Sequence, residues 1–220
     1  MNPIPKLVIL GRDGILNEYR EDHVKAPEEW VTLPGALEAV ARLNHAGWHA
    51  VVATNQSGIG RGMIDMAAVN QVHQHLNRLL AAQGGRIDAV FFCPHVPEDH
   101  CACRKPMPGL MHDIGQRYGV ELARVPMVAD TLRDLLAAQA AGCEPHLVLT
   151  GRAERLDPAA LERIRHALRA RSACRETLVN YHKDGSRYHV EVSIDPILDD
   201  EGQPLWLVAR ERKIPAGTVA

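Results

Sequence analysis

Four clusters of chemically capable residues lie just beyond four apolar runs: Gly11-Arg12-Asp13-Gly14, Thr54-Asn55-Gln56-Ser57-Gly58, Arg104-Lys105-Pro106, and Asp130 with Asp134. A carboxylate, a hydroxyl, an ammonium and a second carboxylate meeting at one sheet edge are the parts of phosphoryl transfer through an aspartyl phosphate. Carboxylates hold Mg²⁺ and move protons, while the hydroxyl and the ammonium bind the transferring phosphoryl oxygens. A fifth cluster has different chemistry. Cys93-Pro-His95 followed by Cys101-Ala-Cys103 offers three thiolates and an imidazole at a spacing that suits tetrahedral Zn²⁺ with no open position, hence a structural role. That loop runs directly into Arg104 and Lys105, so closing it would position both. His100 is a spare ligand, and Cys143 and Cys174 read as small buried apolar residues.

The elements that must carry these clusters follow from hydrophobic periodicity. Apolar runs at Lys6–Leu10, Trp48–Ala53, Ile87–Phe92, Val125–Ala129 and His146–Leu149 read as buried strands. Between them, helical spacing marks 36–46, where Leu37, Val40 and Leu43 share a face, and 67–82, with Val69, Val72, Leu76 and Leu80; 110–118 and 132–141 follow. The alternation predicts an α/β fold, a parallel sheet with helices on both faces whose ligands collect beyond the carboxyl ends of its strands. Asp134 is expected to cap the last of these helices or to support the metal from behind.

After Gly151 the pattern changes. Asp157-Pro158 opens a helix to about Arg171, and then Tyr188, Val190, Val192 and Ile194 alternate with polar residues between turn sequences, which predicts a small C-terminal antiparallel β meander. The expected organisation is residues 1–157 as the main domain, 158–175 as a linking helix and 176–220 as a C-terminal fragment.

Composition excludes several classes. The 220 residues carry a net charge of -2, so no basic field draws nucleic acid or anionic lipid. No apolar run is long enough to span a bilayer, the start reaches Arg12 and Asp13 too early for a secretory signal, and five cysteines, an odd number, suit a reducing compartment. The expectation is a cytoplasmic protein with no membrane and no nucleic acid partner.

The segments GRDGILN, TNQSGIGRG, CACRKPMPG and ADTLRD resemble the motifs of the haloacid dehalogenase (HAD) superfamily, and within it the heptose 1,7-bisphosphate 7-phosphatases, whose pattern is D-x-D-G, T-N-Q-S-G, a zinc loop, C-R-K-P and G-D-x-x-x-D. The resemblance implies a HAD-like Rossmannoid fold and a Mg²⁺-dependent hydrolase of sugar phosphomonoesters in the carbohydrate metabolism of lipopolysaccharide heptose precursors. It implies Asp13 as general acid and base, with its carbonyl on the metal, Thr54 and Lys105 on the phosphoryl group, and Asp130 completing the Mg²⁺ shell. Asn55, Arg61 and Arg104 become substrate contacts. Cys93, His95, Cys101 and Cys103 become the zinc ligands.

One position departs from the pattern. The first Asp of D-x-D-G, the nucleophile and a metal ligand, is Gly11 here, so no covalent intermediate can form there and Mg²⁺ should be held more weakly. Two functions follow as expectations: an impaired heptose bisphosphate phosphatase, or an inactive phosphosugar-binding or regulatory protein. The segment 176–214 resembles the last strands of a PAS domain without the helical half that walls a cofactor pocket, which points to packing or self-association rather than cofactor binding.

Overall fold

β1 (Lys6–Leu10) shows why the main sheet forms. Its four residues from Leu7 to Leu10 are all buried, because helices cover both faces and neither side of the pleat sees water. Leu7 and Ile9 point into one apolar cluster, with Val51, Met111, Ile114 and Met127. Val8 and Leu10 point into the other, with Val52, Leu37, Val40, Val72, Leu76 and Leu80. The alternation is the period of two of an extended chain.

The protein is described by a computed structural model, which covers residues 5–148, 151, 166, 170, 174–181, 187–198 and 204–214. The chain divides into two units, Met1–Gly151 and Arg152–Ala220. In the first, β1 is followed by α1 (Ala36–His45), β2 (Trp48–Asn55), the single turn α2 (Ser57–Gly60), α3 (Met66–Ala82), β3 (Ala89–Cys93), α4 (Gly109–Tyr118), β4 (Pro126–Ala129), α5 (Leu132–Ala140) and β5 (Glu144–Leu147). All strand pairs are parallel and the order is β3-β2-β1-β4-β5. The chain therefore steps from β1 to one side and returns to β1's other side with β4. That reversal leaves a crevice beyond the carboxyl ends of β1 and β4, the position where open α/β sheets bind ligands.

Two strands differ from the expectation. β2 extends through Thr54 and Asn55, because pairing with β3 continues to Asn55↔Cys93; both residues belong to the strand end rather than to the loop after it. β5 begins at Glu144, two residues early. It lies at the sheet edge, where Glu144, Pro145 and His146 are exposed, so the apolar run read at 146–149 marks only its second half and the strand is not buried; its Pro and charge suit an unpaired edge.

The second unit, taken by itself, contains the expected meander: β6 (Cys174–Tyr181), β7 (Arg187–Leu198) and β8 (Pro204–Ile214), antiparallel in that order, with a register shift at Ile197/Leu198. Most of the expected helix at 158–175 lies outside the described residues; His166 and Ala170 are helical, while Cys174 and Arg175, placed at its end from sequence, belong to β6.

Candidate active site

Asp13 leaves the end of β1 on a loop folded back on itself, with the Gly14 N–H donating to the Asn17 carbonyl at 2.7 Å. Its carboxylate is surrounded by donors. Oδ1 accepts from Arg12 Nη2 at 2.9 Å and from Asn17 Nδ2 at 3.0 Å, and Oδ2 accepts from Gln56 Nε2 at 3.1 Å. Burial pushes the carboxyl up, but the adjoining Arg12 charge and these hydrogen bonds outweigh it and hold Asp13 below the ordinary carboxylate range. Arg12 is itself only 1% exposed, and its Nη1 lies 3.4 Å from His73 Nε2 on α3. Burial and the Arg12 charge push His73 down to about 4, so its ring is neutral at pH 7 and Nε2 can accept the arginine proton.

The same Gln56 Nε2 donates to Thr54 Oγ1 at 3.0 Å, which joins Asp13 to Thr54 through one amide. With its oxygen accepting, the Thr54 hydroxyl keeps its proton to donate to an anion. Asn55 ties β2 to the next cluster: its Oδ1 accepts from Lys105 N and its Nδ2 donates to the Lys105 carbonyl, both at 3.1 Å. Lys105, 3% exposed, donates from Nζ to the Ala53 carbonyl and to Asp134 Oδ2, each at 2.8 Å. An ammonium has three donors, so one remains for a phosphoryl oxygen.

Asp130 follows β4 and is 1% exposed. It stands so close to Gly14 that a Cβ there would overlap its carboxylate, and Gly14 also has φ +82, so no other residue fits between β1 and Asp130. Gly11 is different. Its backbone is in no glycine-only region, and its N–H donates to the Val128 carbonyl at 2.9 Å, so the backbone conformation admits an L residue there. What fills the space instead is Ile15: a Cβ on Gly11 would lie 2.9 Å from Ile15 Cγ1.

The cysteine loop forms a compact donor set. The Sγ atoms of Cys93, Cys101 and Cys103 are 3.3 to 3.6 Å apart, and His95 Nδ1 lies 3.5 Å from Cys93 Sγ and 3.3 Å from Cys103 Sγ. A tetrahedral ion with Zn–S near 2.3 Å and Zn–N near 2.1 Å requires edges of about 3.5–3.8 Å, so a small metal ion fits with little adjustment. His100 stays out of the set. Arg104 Nη1 donates to the His95 carbonyl at 3.1 Å, which ties its side chain to the loop. Arg61, at the end of α2, is exposed.

Several expectations need correction. Asp134 does not cap α5: Thr131 is the N-cap, its Oγ1 accepting from Asp134 N at 3.3 Å, and the Asp134 carboxylate faces Lys105 instead. Two histidines outside the cysteine loop also lie away from the surface. His73 is buried, and His23, half-buried at φ +64, stands against Gly58 and feels the charges of Asp13 and Arg61. Arg12, Asn17 and Gln56 were given no role from sequence, yet they make the Asp13 site. Both of the latter sit inside the quoted motifs GRDGILN and TNQSG, and His73 lies on the Val69–Val72–Leu76–Leu80 stripe, which was the available signal.

A parallel sheet of this order, with an Asp-Gly loop after β1, a hydroxyl at the end of β2, a buried lysine and an acid after β4, defines a HAD-type phosphohydrolase scaffold. A HAD-hydrolase-like family model matches residues 102–172. The heptose-1,7-bisphosphate 7-phosphatase of Bordetella bronchiseptica is 56% identical over 146 residues, covering 66% of this chain and 82% of its own; that of Pseudomonas aeruginosa is 48% identical over 149 residues, covering 68% and 84%. The solved structure of the B. bronchiseptica phosphatase with magnesium and phosphate is 55% identical, with a TM-score of 0.67, over 68% of this chain and 83% of that one. The chain belongs to the D-glycero-D-manno-heptose 1,7-bisphosphate 7-phosphatase family.

Proposed function

We propose that the protein binds a phosphorylated sugar of the heptose bisphosphate kind in the crevice between β1 and β4 and hydrolyses its phosphomonoester far more slowly than its relatives do. The observation that carries the second half is Gly11, whose missing side chain is replaced in space by Ile15. No carboxylate stands where the family's phosphoryl acceptor does. Loss of a nucleophile lowers turnover by roughly 10⁴- to 10⁶-fold.

The remaining groups keep their parts. The free Lys105 donor and the Thr54 proton bind a phosphoryl oxygen each, Arg61 and Arg104 contact the substrate, and Asn55 fixes Lys105 through its backbone. Asp13 is the acid and base by descent, but Arg12, Asn17 and Gln56 hold it ionised. A carboxylate at position 11 would oppose that by like-charge repulsion, so Gly11 costs the site part of its acid as well as its nucleophile. Mg²⁺ would be held by the Asp130 carboxylate and the Asp13 carbonyl, and would neutralise phosphoryl charge. One charged ligand is missing and Arg12 offsets the Asp13 charge, so the affinity is low. Zn²⁺ at Cys93, His95, Cys101 and Cys103 closes the loop that supports Arg104.

Asp13, saturated by donors, and Ile15, filling the acceptor's place, favour a second reading in which the protein holds a phosphosugar without turnover and its PAS-like meander serves an interaction, including self-association. No helix among the described residues is long and apolar enough to cross a membrane; a place in the cytoplasm, at the heptose step of lipopolysaccharide synthesis, accords with the family. The experiment is calorimetric titration of heptose 1,7-bisphosphate into the full chain with Mg²⁺, with phosphate release followed in parallel. Binding with release at least about 10⁴-fold below a typical turnover of about 10 s⁻¹ supports the proposal. Absence of binding at millimolar ligand refutes the site, and ordinary turnover refutes the role given to Gly11.

A further inference from the structure

Gln56, the first residue after β2, is wholly buried, and its backbone is held from the side of the cysteine loop. Its N–H donates to the Cys93 carbonyl at 2.7 Å, and at the end of α2 the Gly60 N–H donates to the Pro94 carbonyl at 3.0 Å. The start of the cysteine loop thus fixes where the Gln56 side chain begins. Its far end has one orientation. An ionised Asp13 can only accept, so the atom 3.1 Å from its Oδ2 is the amide nitrogen. That nitrogen carries two hydrogens, and the second goes to Thr54 Oγ1 at 3.0 Å. Both donors are then spent, while Oε1 is buried with no hydrogen-bond partner among the described residues. Turning the amide over would break both bonds and set its oxygen against the Asp13 carboxylate, so the unpaired oxygen is the lesser cost.

A hydroxyl has one proton, and a donor on its oxygen leaves that proton for some other acceptor. Gln56 therefore settles the direction of the Thr54 hydroxyl before any ligand arrives. A free hydroxyl can turn to accept as readily as to donate, and only the donating form suits an anion. We propose that Gln56 is a positioning residue for the phosphoryl group: its amide fixes Thr54 as a proton donor, and the site's affinity for a phosphorylated ligand depends on Gln56 through Thr54. The assignment rests on the phosphosugar-binding reading above and adds to it the residue that prepares the hydroxyl.

The test is a double-mutant cycle on the full chain, whose low turnover permits equilibrium titration. Heptose 1,7-bisphosphate is titrated calorimetrically into the protein with and without Gln56→Met, each in the unaltered, Thr54→Ser and Thr54→Val backgrounds. Gln56→Met should weaken binding at least about fivefold where position 54 bears a hydroxyl, in the unaltered and Thr54→Ser proteins, and less than about twofold in Thr54→Val. A residue that only supports the fold, or that acts through the Asp13 charge, would weaken all three alike. Equal loss in the three backgrounds, or loss in none, overturns the proposal. Should Gln56→Met fail to melt cooperatively, Gln56→Glu takes its place. It keeps the shape of glutamine but takes the Thr54 proton, and its added charge acts in every background, so the excess loss over Thr54→Val is read in the same way. If the unaltered protein binds no bisphosphate, the phosphosugar reading itself fails, and this assignment with it.

Discussion

Removing the Asp134 carboxylate isolates a buried ammonium. Lys105 and Asp134 have side chains 3% and 6% exposed and meet at 2.8 Å, out of reach of bulk water and of screening salt. Deleting one member of such a pair costs about 3–5 kcal/mol, because the other charge stays desolvated and uncompensated. The Ala53 carbonyl still accepts from Nζ in Asp134→Ala, which places the cost toward the lower end. At about 2–4 °C per kcal/mol for a domain of this size, the melting temperature should fall by about 6–20 °C. The double variant Lys105→Met with Asp134→Leu removes both charges and fills the space with apolar atoms, and should recover most of the loss, since well-packed hydrophobic replacements of buried pairs are often neutral. Differential scanning calorimetry of the parent, the single and the double variant decides it. A single variant melting within about 2 °C of the parent would refute the buried pair, and a double variant as unstable as the single would show that geometry rather than charge is at stake.

Three further outcomes are expected. The protein should carry about one equivalent of zinc, lost in Cys101→Ala or Cys103→Ala together with thermal stability; elemental analysis of chelator-washed, still-folded protein without zinc would oppose this. Because Asp13 is held below its ordinary value, its contribution to stability is complete above about pH 4 and is lost as pH falls through its lowered pKa; melting curves of Asp13→Asn against the parent should converge on acidification, and parallel curves would contradict the assignment. The first unit ends at Gly151 and contains both apolar clusters of the parallel sheet, so a chain truncated after Arg171 should fold, with far-ultraviolet dichroism and a cooperative melt; aggregation would mean that the meander completes its core.

Much of this architecture was legible because apolar runs and helical stripes are local signals. β1 appears in the sequence as it stands in the sheet, and α3 differs from its expected span by one residue. What was not legible depends on the partner. The apolar run at 146–149 caught only the second half of β5, whose first residues are exposed at the sheet edge, and β2 gained Thr54 and Asn55 only through pairing with β3. The site divides in the same way. Asp13, Thr54, Lys105 and the cysteine set follow from residue type and spacing. Gln56, which bridges Asp13 to Thr54, and Arg12, which is held by a neutral His73 some sixty positions away, matter through contacts that no spacing encodes. Asp134 is instructive, since Thr131-Leu-Arg-Asp134 is itself a capping-box pattern with the threonine as the cap.

The central claim is that position 11, and not decay of the surrounding site, limits turnover. Gly11→Asp places a carboxylate at the end of β1 on a backbone that accepts it, and it must displace Ile15 Cγ1, which a Cβ would meet at 2.9 Å; Gly11→Asp with Ile15→Ala removes that obstruction. Phosphate release from heptose 1,7-bisphosphate should be measured for the parent, both variants, and Gly11→Asp with Asp130→Asn, with and without Mg²⁺. The account predicts a parent at least about 10⁴-fold below an intact relative, a large Mg²⁺-dependent gain in Gly11→Asp, a further gain on relieving Ile15, and loss of the gain with Asp130→Asn. A parent already as fast as Gly11→Asp, or a relieved variant that stays inert while binding substrate, would contradict it.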